Sequence, residues 1–134
     1  MRLGSAEEHV SVGIWPRKSM EATGGDVLVS VAVRCDGYVG DTTQWVLPQA
    51  WDKFVAELRE LEHTRQGQAV LETDFGDAFL LRLFSTDRAG HMAVSGMVRF
   101  IRRQQDAGAL ELSFGPIAFD PTTLPELVRT VEKA

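Results

Sequence analysis

Cysteine is almost absent from this chain, since Cys35 is the only one among 134 residues. A single cysteine cannot form an internal disulfide, so the fold must rest on a hydrophobic core and suits a reducing compartment. Long apolar runs are absent too: the longest, residues 78–81, is far short of the about 20 residues that span a membrane. The first ten residues contain no apolar segment of the secretory type. We therefore expect a cytoplasmic protein with no membrane partner.

Positive charge is in short supply, because 14 Lys and Arg face 19 Asp and Glu and the net charge is −5. General nucleic-acid binding draws most of its affinity from a basic face, so we expect no nucleic-acid partner. The acidity suits a basic partner protein, although many cytoplasmic proteins are as acidic without one.

Motifs that carry chemistry are also missing. His9, His63 and His91 stand far apart and no cysteine pair exists, which excludes the usual zinc spacings. Cys35 falls on the valine face of a strand, where cysteine behaves as a small hydrophobe rather than a nucleophile. No nucleophile elbow and no phosphate-binding glycine loop is present. The sequence predicts no catalytic residue, no metal and no cofactor, and hence no enzyme.

One set of charged residues is a candidate protein-recognition surface. Glu72 and Asp74 share the outward face of a strand, which fits a carboxylate pair but also a solvated edge that discourages aggregation. A basic cluster lies further along the acidic chain, where a solvated loop is the alternative interpretation. The predicted surface consists of Glu72, Asp74, Arg82, Arg99, Arg102 and Arg103.

Apolar spacing predicts one long helix over residues 48–65. Pro48 fits its first turn and Gly67 fits the left-handed position after its end. Such a helix is not stable alone in water, so its apolar stripe must cover a sheet. The stripe spans an arc of about 120° and contains Trp51, Phe54, Val55, Leu58 and Leu61.

Most of the remaining chain alternates as β-strands do. Asp36-Gly37 predicts a two-residue hairpin turn. Gly115-Pro116 predicts a bulge or a kink in the last strand, because the inward residues change there from even to odd numbers. The inward residues of that strand are Leu110, Leu112, Phe114, Ile117 and Phe119. The strands are predicted over residues 10–15, 27–35, 38–47, 68–75, 78–84, 91–101 and 109–119. Thr123 and Glu126 then form a capping box that starts a short C-terminal helix.

The predicted fold class is α+β. It has a single curved antiparallel sheet of about six or seven strands in meander order, covered by one long helix after the third strand and by the short C-terminal helix. The length predicts a single domain over residues 1–134, with residues 1–9 flexible.

Several short patterns, taken in order, resemble the WapI-like immunity proteins, small bacterial antidotes to polymorphic or contact-dependent toxins. The first are Tyr38-Val39-Gly40 and the helix pattern Trp-x-x-Phe-x-x-x-Leu-x-x-Leu. Residues 90–96 are similar to that family's Gly-His-apolar-x-Val-x-Gly strand, and residues 110–125 to its closing strand and Asp-x-Thr-x-Leu-Pro turn. The resemblance covers residues 27–132 and implies a non-enzymatic protein binder.

The leading hypothesis is a cytoplasmic immunity-type protein that binds and neutralises a cognate toxin, as a monomer or a weak dimer. One alternative is a small-ligand-binding or enzymatic domain with a pocket between sheet and helix, lined by Tyr38, Trp45 and His91. Another is an oligomeric adaptor that uses the mixed strand over residues 38–47 as a pairing edge.

Overall fold

The computed structural model describes residues 1–15, 25–73, 78–101 and 108–134. None of the helices in these ranges is long and apolar enough to cross a membrane. The elements in chain order are β1 (Arg2–Gly4), β2 (His9–Trp15), β3 (Val27–Cys35), β4 (Tyr38–Val46), α1 (Pro48–Thr64), β5 (Gln68–Glu72), β6 (Ala78–Ser85), β7 (Met92–Ile101), β8 (Ala109–Phe119), a 3₁₀ turn (Pro121–Thr123) and α2 (Leu124–Glu132).

The strands form two antiparallel four-stranded sheets in the orders β1-β2-β3-β4 and β5-β6-β7-β8. The α+β class and the antiparallel neighbour pairing are confirmed, but the prediction of a single sheet is wrong. β4 and β5 are joined by the 17-residue helix α1, which is about 26 Å long, rather than by a hairpin turn. A hairpin turn would pair β5 with β4; after the helix, β5 instead pairs with β6 and starts the second sheet.

The N-terminal residues form a strand that the sequence patterns did not predict. Arg2–Gly4 pairs with β2, in the register Arg2↔Ser11 and Gly4↔His9, and Leu3 is completely buried. The long helix consequently follows the fourth strand rather than the third. Three residues are too few to show the period-two alternation from which strands are predicted.

Helix α1 buries four of the five residues of the predicted stripe, and the fifth, Val55, is partly buried. The Trp51 and Phe54 rings lie 5.9 Å apart, and Leu58 and Leu61 complete the buried set. These side chains pack into one core with the inward faces of both sheets, so the prediction that the helix covers sheet is confirmed.

The end of α1 differs from the prediction. Arg65, with φ of 60°, occupies the left-handed position assigned to Gly67, and its N–H donates to Leu61 O. Its side chain also donates to Glu62 O at 3.0 Å and to Pro121 O at 2.9 Å. These contacts hold a non-glycine residue in a conformation that glycine adopts more easily.

The bulge predicted in β8 is confirmed. Val94 pairs with Ile117 but Gly96 pairs with Phe114, so β8 carries one extra residue opposite β7 and both aromatic and aliphatic side chains face the core. The inward prediction for Leu110 is wrong, since it is 58% exposed. Leu110 lies next to the start of β8, whereas the buried inward residues Phe114, Ile117 and Phe119 lie nearer the end of that strand.

The start of α2 uses a different cap from the predicted one. The Thr123 hydroxyl donates to Asp120 O at 2.7 Å, and the Asp120 carboxylate accepts the Thr122 N–H at 2.9 Å. Hydrogen bonds from Thr122 hold the pKa of Asp120 below its usual value. The capping box fails because a 3₁₀ turn precedes the helix and engages the threonine hydroxyl first.

Candidate functional site

The predicted surface residues that the structure describes lie on one face of the second sheet. Glu72 is opposite Leu80, which is opposite Met97. Arg82 lies two residues from Leu80 along β6, and Arg99 two residues from Met97 along β7. Because side chains alternate between faces, all five point away from the core. We call this surface, with its neighbours Gln68, Val70 and Phe84, the outer face of the second sheet.

The remaining members of the predicted surface, Asp74, Arg102 and Arg103, lie outside the described residues. So do all but the last residue of each loop that the sequence predicts, over residues 19–25 and 102–108, and the turn that it predicts at residues 76–77.

The outer face contains apolar residues that the sequence patterns did not assign to it. Val70, Leu80, Phe84 and Met97 are half-buried there, while the alternate residues of the same strands are buried in the core. The sequence of β6 does indicate an apolar outer face, because apolar side chains occupy both faces of that strand. Strands buried on both sides have this composition, and so do strands that face a partner.

Arg82 is held at the middle of this face by two neighbours. Its Nε donates to Gln68 Oε1 at 2.7 Å, and its guanidinium carbon lies 4.2 Å from the centre of the Phe84 ring. A guanidinium stacked on an aromatic ring and fixed by a hydrogen bond has fewer conformations to lose when it meets a carboxylate.

Arg99 lies at the next position of the face, opposite Ala78 on one side and Glu111 on the other. Its Nε is buried, and that atom has no hydrogen-bond partner within the described part of the chain. An unsatisfied N–H of a charged group is costly, and because this atom is buried it offers no donor to an approaching partner in this arrangement.

A different cluster occurs at the hairpin end of the first sheet. The ligand atoms of Glu8, Cys35 and Asp36 all lie within 4.8 Å of one another. Burial, followed by the nearby Glu8 and Asp36 carboxylates, raises the pKa of the Cys35 thiol. The three groups could ligate a cation only after the thiol ionises, and their own charges oppose that step.

We expect the Cys35 thiol to react slowly with alkylating reagents near neutral pH. Its rate with iodoacetamide should rise with pH through a midpoint above that of a free cysteine, because the thiolate is disfavoured. Glu8→Gln removes one source of repulsion and should move the midpoint downward, whereas Glu60→Gln, on the exposed side of α1, should not. A midpoint at or below that of free cysteine would contradict the explanation by burial and carboxylate repulsion.

The residues suggested for a ligand pocket do not converge. Tyr38 and Trp45 are seven positions apart in β4 and therefore lie on opposite faces of the sheet. His91 instead closes the turn before β7: its Nδ1 lies 2.5 Å from Asp87 Oδ2, and Asp87 Oδ1 accepts the N–H of Ala89. The hydrogen bond with His91 lowers the pKa of Asp87.

The interior between α1 and the two sheets is filled. The cavity there has a volume of about 10 Å³ and an apolar lining that includes Leu3, Trp51 and Leu127. A single water needs roughly 10–15 Å³ and several polar partners. The described residues thus form no ligand pocket between helix and sheet.

No protein-family model matches the chain, and neither a curated protein nor a solved structure matches it. The relationship to immunity proteins stays a prediction based on the sequence patterns.

Proposed function

We propose that this protein is a non-enzymatic binder that recognises another protein through the outer face of the second sheet. The observation that supports this most directly is Arg82, fixed by Gln68 and Phe84 among half-buried apolar side chains. We further propose, from the resemblance to immunity proteins, that the partner is a cognate toxin domain and that binding neutralises it.

The composition of the face suits protein recognition. Arginine, methionine and aromatic residues are enriched in the centres of protein interfaces, and this face offers Arg82, Met97 and Phe84 together. Binding energy concentrates in such residues when they are already positioned. The half-buried Leu80 and Val70 add apolar area around them.

The charges of the face supply electrostatic complementarity. Glu72 lies in β5 and Glu111 in β8, while Arg82 and Arg99 lie in β6 and β7, so both edges of the face are acidic and its centre is basic. A partner with the opposite arrangement of charges would complement it. At longer range the net charge of −5 favours an approaching basic protein.

The test is isothermal titration calorimetry with the protein encoded by the gene beside this one. We expect wild-type protein to bind it and Arg82→Glu to weaken binding by about 30-fold or more, since a fixed interfacial arginine is typically worth about 2 kcal/mol or more. Arg129→Glu makes the same charge reversal at an exposed position of α2 and should change the affinity less than about threefold.

The outcomes separate the interface from the identity of the partner. If wild-type protein binds but Arg82→Glu binds equally well, the outer face is not the interface. If wild-type protein does not bind, the assignment of the neighbouring product as the partner is wrong. Circular dichroism and the unfolding temperature of each variant show whether a loss of affinity comes from a loss of folding.

A further inference from the structure

Among the described residues, strand β4 is the edge of the first sheet and pairs with β3 alone. Asp36 and Gly37 have φ of 50° and 82°, as a two-residue hairpin turn requires. In such a hairpin Cys35 and Tyr38 exchange main-chain hydrogen bonds, as does every second pair after them. The alternate residues of β4 therefore turn their N–H and C=O groups away from β3, and these are Val39, Asp41, Thr43 and Trp45.

These four residues face solvent. All are exposed, Val39 to 72% and Trp45 to 37%. Within the described ranges, no strand pairs with this edge. Natural edge strands are commonly protected by lysine, proline or a bulge, but β4 contains none of these and carries a single charge, on Asp41.

We propose that a second copy of this chain pairs with β4 antiparallel, across a two-fold axis that passes through Thr42. In this register Val39 lies opposite the partner's Trp45, and Asp41 opposite the partner's Thr43. Each of these pairs exchanges both main-chain hydrogen bonds. The two first sheets become one continuous eight-stranded sheet.

The occupant is a second copy because the edge is complementary to itself in this register. A two-fold centred on Asp41 would set two carboxylates directly opposite each other, which is unfavourable. The register centred on Thr42 avoids that and engages all four outward-turned residues within β4. It also places an exposed valine against an exposed tryptophan twice, once on each side of the axis.

The outward row of side chains on the first sheet supports this pairing. Trp15 lies opposite Leu28, and Leu28 opposite Trp45. Trp15 is 43% exposed, so the row is an apolar strip that ends at the free edge. The partner's Val39 extends the strip by one strand and covers the open side of Trp45.

This dimer is independent of the proposed toxin binding, because it uses the first sheet and leaves the outer face of the second sheet free. Its test is sedimentation velocity of the full chain over a range of concentrations. We expect a monomer–dimer equilibrium for the wild-type protein. Thr43→Pro removes an outward N–H and leaves the hydrogen bonds to β3 intact. It should raise the dissociation constant of the dimer by about 30-fold, because one hydrogen bond is lost on each side of the axis.

The matched control is Thr43→Ala, which keeps the N–H and should leave the dissociation constant within about threefold of wild type. A wild-type chain that stays monomeric at every concentration overturns the proposal, as does a Thr43→Pro dimer as stable as the wild-type one. Circular dichroism checks that the proline variant folds.

Cross-linking tests the register centred on Thr42 even if the Thr43→Pro variant does not fold. In a Cys35→Ser background, Thr42→Cys sits on the two-fold axis, where facing residues of a pair without hydrogen bonds approach to about 4.5 Å between Cα atoms. Oxidised glutathione should form a disulfide between the introduced cysteines of two Thr42→Cys copies, whereas Thr43→Cys copies should stay unlinked. Equal linking of both variants, or of neither, contradicts the register.

Discussion

We expect Leu58→Ala to lower the free energy of unfolding by about 2–5 kcal/mol. Leu58 has no exposed surface and packs in the core with Trp51, Phe54 and the inward faces of both sheets. The cavity of about 10 Å³ that Trp51 and Phe54 line is apolar and offers a water no polar partner, so the truncation leaves an apolar void rather than a hydrated one. Urea unfolding followed by circular dichroism measures the loss.

The control for Leu58→Ala is Glu60→Ala, two residues along α1 on its exposed side. That change should alter stability by no more than about 0.5 kcal/mol. A loss below ~1 kcal/mol for Leu58→Ala would mean that the stripe of α1 faces a partner rather than the core.

The second large effect is expected at Gly96, in β7 opposite the bulge of β8. A Cβ atom there would collide with the main-chain oxygen of Leu80 and approach the Phe114 ring to 2.9 Å. The oxygen belongs to the adjacent strand and cannot turn aside as a flexible side chain would. Gly96→Ala should therefore cost about 3 kcal/mol, the upper end of the usual range for overpacking.

The same unfolding experiment measures the Gly96→Ala effect, with Ser95→Ala as its control. Ser95 is adjacent in β7 but points to the outer face, so removing its hydroxyl should leave stability within about 0.5 kcal/mol of wild type. Equal stability of Gly96→Ala and wild type would show that β6, β7 and β8 are not arranged in this register.

Local patterns were sufficient to predict most elements of this fold. The Asp36-Gly37 turn and the alternating valines of β3 specify a hairpin through neighbouring residues alone. The spacing of Trp51, Phe54 and Leu58 specifies one face of α1 in the same way. In each case the determining contacts lie within a few residues of one another.

Features set by distant contacts were not predictable in this way. The division into two sheets depends on where α1 delivers the chain, and the left-handed Arg65 depends on its bond to Pro121. The sequence of residues 120–126 allows either a capping box or a 3₁₀ turn before α2, and the structure contains the 3₁₀ turn. The alternation of side chains predicts an inward Leu110, yet Leu110 lies next to the start of β8 and is exposed there.

The candidate site shows the same division. The alternation of side chains within each strand predicts that Glu72, Arg82 and Arg99 point outward. Only the pairing register of β5, β6 and β7 shows that these three charged residues surround Leu80 and Met97. The three charges and the two apolar residues therefore form one surface. The stacking of Arg82 on Phe84 was likewise beyond the sequence, because it depends on a rotamer rather than on a pattern.

The proposed function lies on the exposed mixed face of the second sheet. The most direct measurement is growth rescue of cells that produce the neighbouring gene product as a toxin. We predict that wild-type protein and Arg129→Glu restore growth, and that Arg82→Glu fails to do so at the same level of folded protein. Rescue by Arg82→Glu as complete as by wild type, or no rescue by wild type, would contradict the proposed binding of a toxin by the outer face.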